Sequence, residues 1–485
     1  MLATWAAFAI FGSIALYIAV SLSDARKLDG ARGFLHNVGP FWRAIISLTA
    51  FSVTLGTGLV YILSQATTTG WLIFLTPLGV FLGYASIAYY YRGLGYRASS
   101  DAPNFFYLLS EKTADNAVSL THFGRFFGIF MALTYVLVLA FELQVGSKVI
   151  IDSLLNKPTS AAYLGFSVFI LLIVFIYTAL GGLRAAVSTD VWQMALIALF
   201  LGVLWIIVAE DDRSFVPAPI SSSLRDGLAV GSAILALIMA ITTQFYSIIN
   251  VSLGSNYEPK KQWQIFLVVG FLSGSIYFGV AYFALSLGSP IQLTELVRGI
   301  VNHSSDIDFV NGALVAALFG GMMAVLLSTI DNMMLSVTQV TAENAFGINP
   351  FRDGHEKSVA DLKAMRWAHA AVFLFVLVLV VGLWMLPIDP FPLLLTILFA
   401  ATIMSPLVSA SAWVNSHGKK SMFVRPIVAW VIFLLTVMAW FVYFVLTIKG
   451  LREESVWLHL GAFFVALALA IYDLLTAKAA TKVPR

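Results

Sequence analysis

Cysteine is absent from this 485-residue chain, so disulfides, thiolate metal sites and thiol redox chemistry are excluded. Charge is scarce too: 11% of residues are Asp, Glu, Lys or Arg, against about 25% in a soluble globular domain. No basic block of the kind that binds nucleic acid occurs, and the formal net charge of +3 is spread over loops. His-Glu-x-x-His, a nucleophile elbow and a phosphate loop are all missing, and the seven histidines are scattered, so no enzyme is expected. What remains is apolar. The chain is 60% hydrophobic and 14% aromatic, with 35 glycines and a mean hydropathy of +0.91. That is the composition of an all-α polytopic membrane protein with lipid bilayer around it. The short alternating segments of a transmembrane barrel do not occur.

Apolar runs of about 20 residues number thirteen, near 3–22, 41–64, 71–91, 124–153, 161–182, 189–209, 227–253, 263–287, 309–345, 364–386, 391–413, 425–448 and 456–476. The first has no Lys or Arg before it, and Arg26, Lys27 and Arg32 follow it. A cleaved signal peptide has the opposite order, so this run is a retained span with the N-terminus outside and, after thirteen crossings, the C-terminus cytoplasmic. In that orientation 21 of the 28 basic residues fall on inner segments and 6 on outer ones, with Lys148 inside a span. The positive-inside rule demands that bias, and one span more or fewer near the middle would erase it. Connections at 93–123, 210–226, 288–308 and 346–363 are too short for a separate folded domain.

Spans two to six and seven to eleven lie over each other as two five-span sets running in opposite senses. Such a 5+5 inverted repeat places a site between the first helices of the two sets, where each is broken at mid-membrane. The chain then divides into 1–40, a peripheral helix and inner loop; 41–210, the first repeat; 211–416, the second; and 417–485, two peripheral helices and a short tail. The second span gathers Ser47, Thr49, Ser52, Thr54 and Thr57 with Gly56 and Gly58, and glycine lowers the cost of leaving the helix. On the seventh span Thr242, Thr243, Gln244, Tyr246, Ser247, Asn250 and Ser252 make a density of polar groups beyond what lipid tolerates. Either cluster reads equally as interhelical packing glue or as a site. Thr57, Gln244, Tyr246 and Asn250 are the residues placed to line a pocket for a small polar solute.

In the ninth span Ser328 and Thr329 are followed by Asp331 and Asn332. Adjacent hydroxyls leave a helix roughly 100° apart, and a cation beside them also reaches the Val325 carbonyl one turn earlier. That ligand set is oxygen only and suits a hard ion. The same hydroxyls can simply bond back to the carbonyl four residues before them. Glu142 and Lys148 on the fourth span are six residues apart and so do not share a face.

The most specific pattern is Tyr177-Thr178-Ala179-Leu180-Gly181-Gly182-Leu183-Arg184-Ala185-Ala186-Val187-Ser188-Thr189-Asp190-Val191-Trp192-Gln193. Physically it is a glycine-paired inner turn in which Thr189-Asp190 opens the next helix. It resembles the signature of the sodium:solute symporter family, a Tyr-Thr-x-x-Gly-Gly-Leu-x-Ala turn running into Thr-Asp-x-x-Gln. The Ser328-Thr329 pair resembles the family's eighth core helix, and the span count and two five-helix sets extend the likeness to the whole chain.

The resemblance implies a LeuT-like fold and a sodium-coupled symporter importing a small polar organic solute by alternating access, in a bacterial inner membrane. The alternative is a transporter-like sensor or accessory subunit that binds ligand without moving it. Carried over, the coupling sodium is held by the Ser328 and Thr329 side chains, the Val325 carbonyl and two carbonyls of the second span. These are Leu48 and Phe51 if the family's serine matches Ser52 and its glycine Gly58. Asp190 would stand nearby as a further charge or an ion-path residue. Members with a second sodium carry another hydroxyl one turn before the pair, where this chain has Val325, so one sodium is expected. The Gln-Arg pair that many members carry in the seventh span is replaced by Ile248-Ile249-Asn250, so sugar or proline cannot be borrowed as substrate.

Overall fold

The computed structural model describes residues 2–26, 28, 30–36, 39–94, 117–155, 157–210, 226–247, 250, 253, 256–287, 293–303, 309–348, 359–385, 402–406, 426–449 and 452–480. Among them all regular structure is helical. In chain order the helices are α1 (Leu2–Ala25), α2 (Gly30–His36), α3 (Phe41–Ser52), α4 (Tyr61–Thr69), α5 (Leu75–Leu94), α6 (Ala117–Leu154), α7 (Ser160–Glu210), α8 (Gly227–Tyr246), α9 (Pro259–Ser286), α10 (Leu293–His303), α11 (Phe309–Val340), α12 (Val359–Met385), α13 (Pro426–Ile448) and α14 (Arg452–Ala480). Nine segments of the described residues are long and apolar enough to cross a membrane, and the chain is an integral membrane protein. The expected span 391–413 lies outside the described residues except for a helical piece at 402–406.

Two expected spans meet inside α7. At 51 residues a straight α7 would run about 77 Å, far beyond the roughly 30 Å of hydrocarbon. It breaks at Gly182, whose φ of 58° and ψ of −153° leave the helical region, while Gly181 stays helical. Any side chain at 182 would also collide with the Phe34 carbonyl, 2.2 Å from where its Cβ would lie. Glycine is therefore required there on two independent grounds.

α11 is the axis of the bundle. Every residue from Leu318 to Val340 is buried, whereas a helix at the lipid boundary keeps one face exposed. Around it pack α7, α6, α1, α12 and α3. Close approach to α7 depends on Gly321, where a Cβ would lie 2.1 Å from that of Phe200. The outer helices turn apolar side chains outward, among them Phe11, Phe271, Phe278, Val378 and Phe441. Exposed rings and branched chains at this density suit hydrocarbon.

At one end of the bundle, segments read as inner from their charge come together. Arg184 pairs with Asp24 at 3.4 Å, Arg43 donates to Ser188 Oγ at 3.2 Å, and His36 meets Glu343 at 3.3 Å. Tyr257 donates to the Gly39 carbonyl at 3.2 Å. Burial pushes its hydroxyl above the ordinary range, against the pull of Arg43, so it stays a neutral donor.

Candidate cation site and solute cavity

The site begins where α3 stops. Val53 (φ −85°, ψ 80°) and Thr54 (φ −84°, ψ 149°) leave the helix, and the chain resumes through a wide turn, Leu55–Val60, into α4. Two β-branched residues followed by Gly56 and Gly58 make this the weakest helical stretch of the span. In a membrane the freed backbone groups need protein partners, and they have them. Thr54 N–H donates to the Tyr277 hydroxyl at 3.2 Å, which itself donates to the Ser52 carbonyl. Gly56 N–H donates to Glu142 Oε2 at 2.8 Å. α8 ends similarly, with Ser247 (φ −57°, ψ 110°) out of the helix.

Ser328 and Thr329 are fully buried, facing protein rather than lipid. Thr329 Oγ1 lies 3.0 Å from the Val325 carbonyl, and Ser328 Oγ lies 3.1 Å from it. These are the back-bonds that any helix allows. Ser328 Oγ, however, also lies 3.3 Å from the Ala50 carbonyl, across the interface on α3. Two hydroxyls and two carbonyls thus gather at the joint of α3 and α11, all neutral oxygens. The second-span carbonyl put there is that of Ala50, which stands between Leu48 and Phe51; Leu48 is buried and Phe51 lines the cavity described below. Among the described residues no three His, Asp or Glu side chains converge, as a divalent site would want.

Beside this joint Asp190 Oδ2 accepts from Ser47 Oγ and from Asn332 Nδ2 at 3.0 Å. Asp331 accepts from Tyr177 at 2.6 Å and from Asn332 N–H at 2.6 Å. Asn332, one turn beyond Ser328, therefore ties the two carboxylates together. Asp190 Oδ1 and Asn332 Oδ1 are buried without a hydrogen-bond partner among the described residues. Orphaned oxygens of this kind cost about 1–3 kcal/mol each.

On the other side of the break lies a cavity of about 120 Å³, walled by groups from α3, α5, α6, α8, α9 and α11. Gln244 is in its wall. Asn250, fully buried, stands behind it and donates to the Gln244 carbonyl at 3.2 Å and to its Oε1 at 3.0 Å. The side chains of Thr57 and Tyr246 lie outside the described residues. Sequence reasoning passed over Tyr84, Tyr135 and Tyr277, which also line the cavity, because a tyrosine in an apolar span looks like any interfacial aromatic. Glu142 is fully buried while Lys148 is exposed, as their spacing on one helix requires.

The sequence matches no family model and no curated protein. Its backbone matches that of a Na+-coupled sialic acid symporter, solved in a substrate-bound outward-open state, with a TM-score of 0.66 at 14% identity over 98% of this chain and 97% of that one. It also matches MhsT, solved in complex with L-phenylalanine, with a TM-score of 0.51 at 15% identity over 91% of this chain and 99% of that one. End to end, this chain shares the fold of these two solved structures.

Proposed function

We propose that the protein is a sodium-coupled symporter that imports a small polar organic solute by alternating access, through thirteen spans arranged as two inverted five-helix repeats. The observation that carries this reading is the Ala50 carbonyl against Ser328, where a broken helix of one repeat meets the central helix of the other. Sodium is held there by Ser328 Oγ, Thr329 Oγ1 and the carbonyls of Val325 and Ala50, with Leu48 and Phe51 the neighbouring carbonyls on the same turn of α3. The unpartnered oxygens of Asp190 and Asn332 mark the route by which the ion reaches or leaves that joint. One positive charge moving inward gains about 2.3 kcal/mol per 100 mV, and a tenfold sodium gradient adds about 1.4 kcal/mol. Together these sustain a several-hundred-fold accumulation of a neutral solute. Uptake by proteoliposomes under an imposed inward sodium gradient is the test. Uptake that persists when potassium replaces sodium overturns the coupling, and sodium-dependent binding without uptake favours a ligand sensor of the same fold.

A further inference from the structure

Where α1, α3 and α7 meet, at the end of the bundle read as inner from its charge, they leave an open groove of about 380 Å³, within the size range of small-ligand sites. Its charged groups are Asp24 of α1, Arg43 of α3 and Arg184 of α7, two positive and one negative. Arg184 and Asp24 face each other at 3.4 Å, which leaves the second arginine over. Among the described residues no carboxylate lies within ion-pair distance of Arg43. Its Nη1 donates to Ser188 Oγ at 3.2 Å, while its Nε is buried without a hydrogen-bond partner among the described residues. Tyr257 is near enough to feel the charge, but its hydroxyl donates to the Gly39 carbonyl at 3.2 Å and offers no negative group. A guanidinium is a planar fork of donors shaped for phosphate or carboxylate oxygens. One that is drawn out of water with a donor to spare calls for an anion.

Two neighbours of Arg43 favour the same kind of ligand. Ser188 lines the groove and, as the acceptor from Arg43, keeps its own hydrogen to give. Pro40 supplies no side-chain cap to α3, so the helix start beside Arg43 keeps its partial positive charge. The rim says whether that anion comes from water or from the bilayer. Trp42 and Trp192 line the groove and are 44% and 51% exposed. Indole rings half out of the protein at the end of a span sit at headgroup level, and basic pockets between spans at this depth hold lipid phosphates.

We infer that this groove binds an anionic phospholipid, whose phosphate oxygens accept from Arg43, Arg184 and Ser188 while its acyl chains run out past Trp42 and Trp192. The site stands apart from the cation joint and does not rest on the symport reading. Its headgroup ties the first turn of α3 to the half of α7 that follows Gly182. The test is thermal unfolding of purified, delipidated full-length protein in dodecyl maltoside micelles carrying rising mole fractions of dioleoylphosphatidylglycerol or dioleoylphosphatidylcholine, at fixed sodium and potassium. Phosphatidylglycerol should stabilise at a mole fraction at least tenfold lower than phosphatidylcholine. In Arg43→Gln the phosphatidylglycerol midpoint should rise at least tenfold, whereas Lys261→Gln, which removes an exposed charge outside the groove, should leave it within twofold. If Arg43→Gln does not give monodisperse protein, Trp192→Glu at its exposed position carries the test, since a carboxylate at the rim should raise the midpoint at least fivefold. Equal midpoints for the two lipids, stabilisation by neither, or a phosphatidylglycerol midpoint unmoved by the folded variant overturns the site. Stabilisation by inorganic phosphate at the lipid's own concentration, lost in Arg43→Gln, makes the ligand a soluble anion and overturns the lipid assignment as well.

Discussion

Replacing Ser328 and Thr329 together by alanine isolates the proposed ion site, because it removes two oxygens and leaves the backbone carbonyls in place. Among the described residues each hydroxyl bonds to neutral carbonyls, so removing it costs the fold about 1 kcal/mol, the worth of an ordinary hydrogen bond. Against a bound cation the same oxygen is worth more, about 1.5–3 kcal/mol, the range for bonds to charged groups. Two lost ligands come to about 3–6 kcal/mol, which is a factor of roughly 10² to 10⁴ in sodium affinity at about 1.4 kcal/mol per tenfold. The assay is the melting temperature as sodium replaces potassium at constant ionic strength, since an ion bound only by the folded state stabilises it by mass action. The double variant should melt close to wild type in potassium and lose its response to sodium over two decades of concentration. Thr329→Ser alone, which keeps the oxygen, should respond within threefold of wild type. A double variant that is folded, monodisperse and still shows the wild-type sodium midpoint refutes the site.

Tyr277→Phe removes the hydroxyl that serves both Thr54 N–H and the Ser52 carbonyl at the break; it should cost about 1–3 kcal/mol in thermal unfolding, and a loss below about 0.5 kcal/mol would show the break to be held otherwise. Gly182→Val combines a positive φ with a collision against Phe34, so size-exclusion profiles of tagged protein should show little or no monodisperse peak; a normal yield contradicts the geometry. Asp24→Asn breaks a pair whose arginine is 24% exposed but whose carboxylate is only 7% exposed, so the loss should exceed that of a surface pair and reach about 1–3 kcal/mol, as read by the same melting assay.

Much of this architecture is legible in residue order because membranes punish ambiguity. An apolar run of 20 residues has to be a span, and the Val53-Thr54-Leu55-Gly56 stretch after Ser52 advertises a break. Burial of Ser328 and Thr329 follows from two hydroxyls beside Asp331 and Asn332, which have no place against lipid. Which carbonyl faces Ser328 is a different matter. Ala50 and Ser328 are 278 residues apart, and the rotation that presents Ala50 instead of Leu48 or Phe51 is set by how α3 packs on α11 and α7. No local propensity encodes that rotation. Glu142 shows the same limit: its ionisable side chain is conspicuous, but its partner is a backbone amide 86 positions away, and amides carry no residue type. Tyr277 was invisible for the opposite reason, as one aromatic among many.

The interruption in the second span is fastened unequally to its surroundings. Tyr277 of α9 grips it at Ser52 and Thr54, and Glu142 of α6 grips it at Gly56, whereas towards α11, on which α3 also packs, the hydrogen bond among the described residues is the long one from Ser328 to the Ala50 carbonyl. A hinge yields along its least stitched edge. In the proposed alternating-access cycle the broken segment should travel with its tyrosine and glutamate clasps and part company with α11, so that the proposed ion leaves through the opening seam.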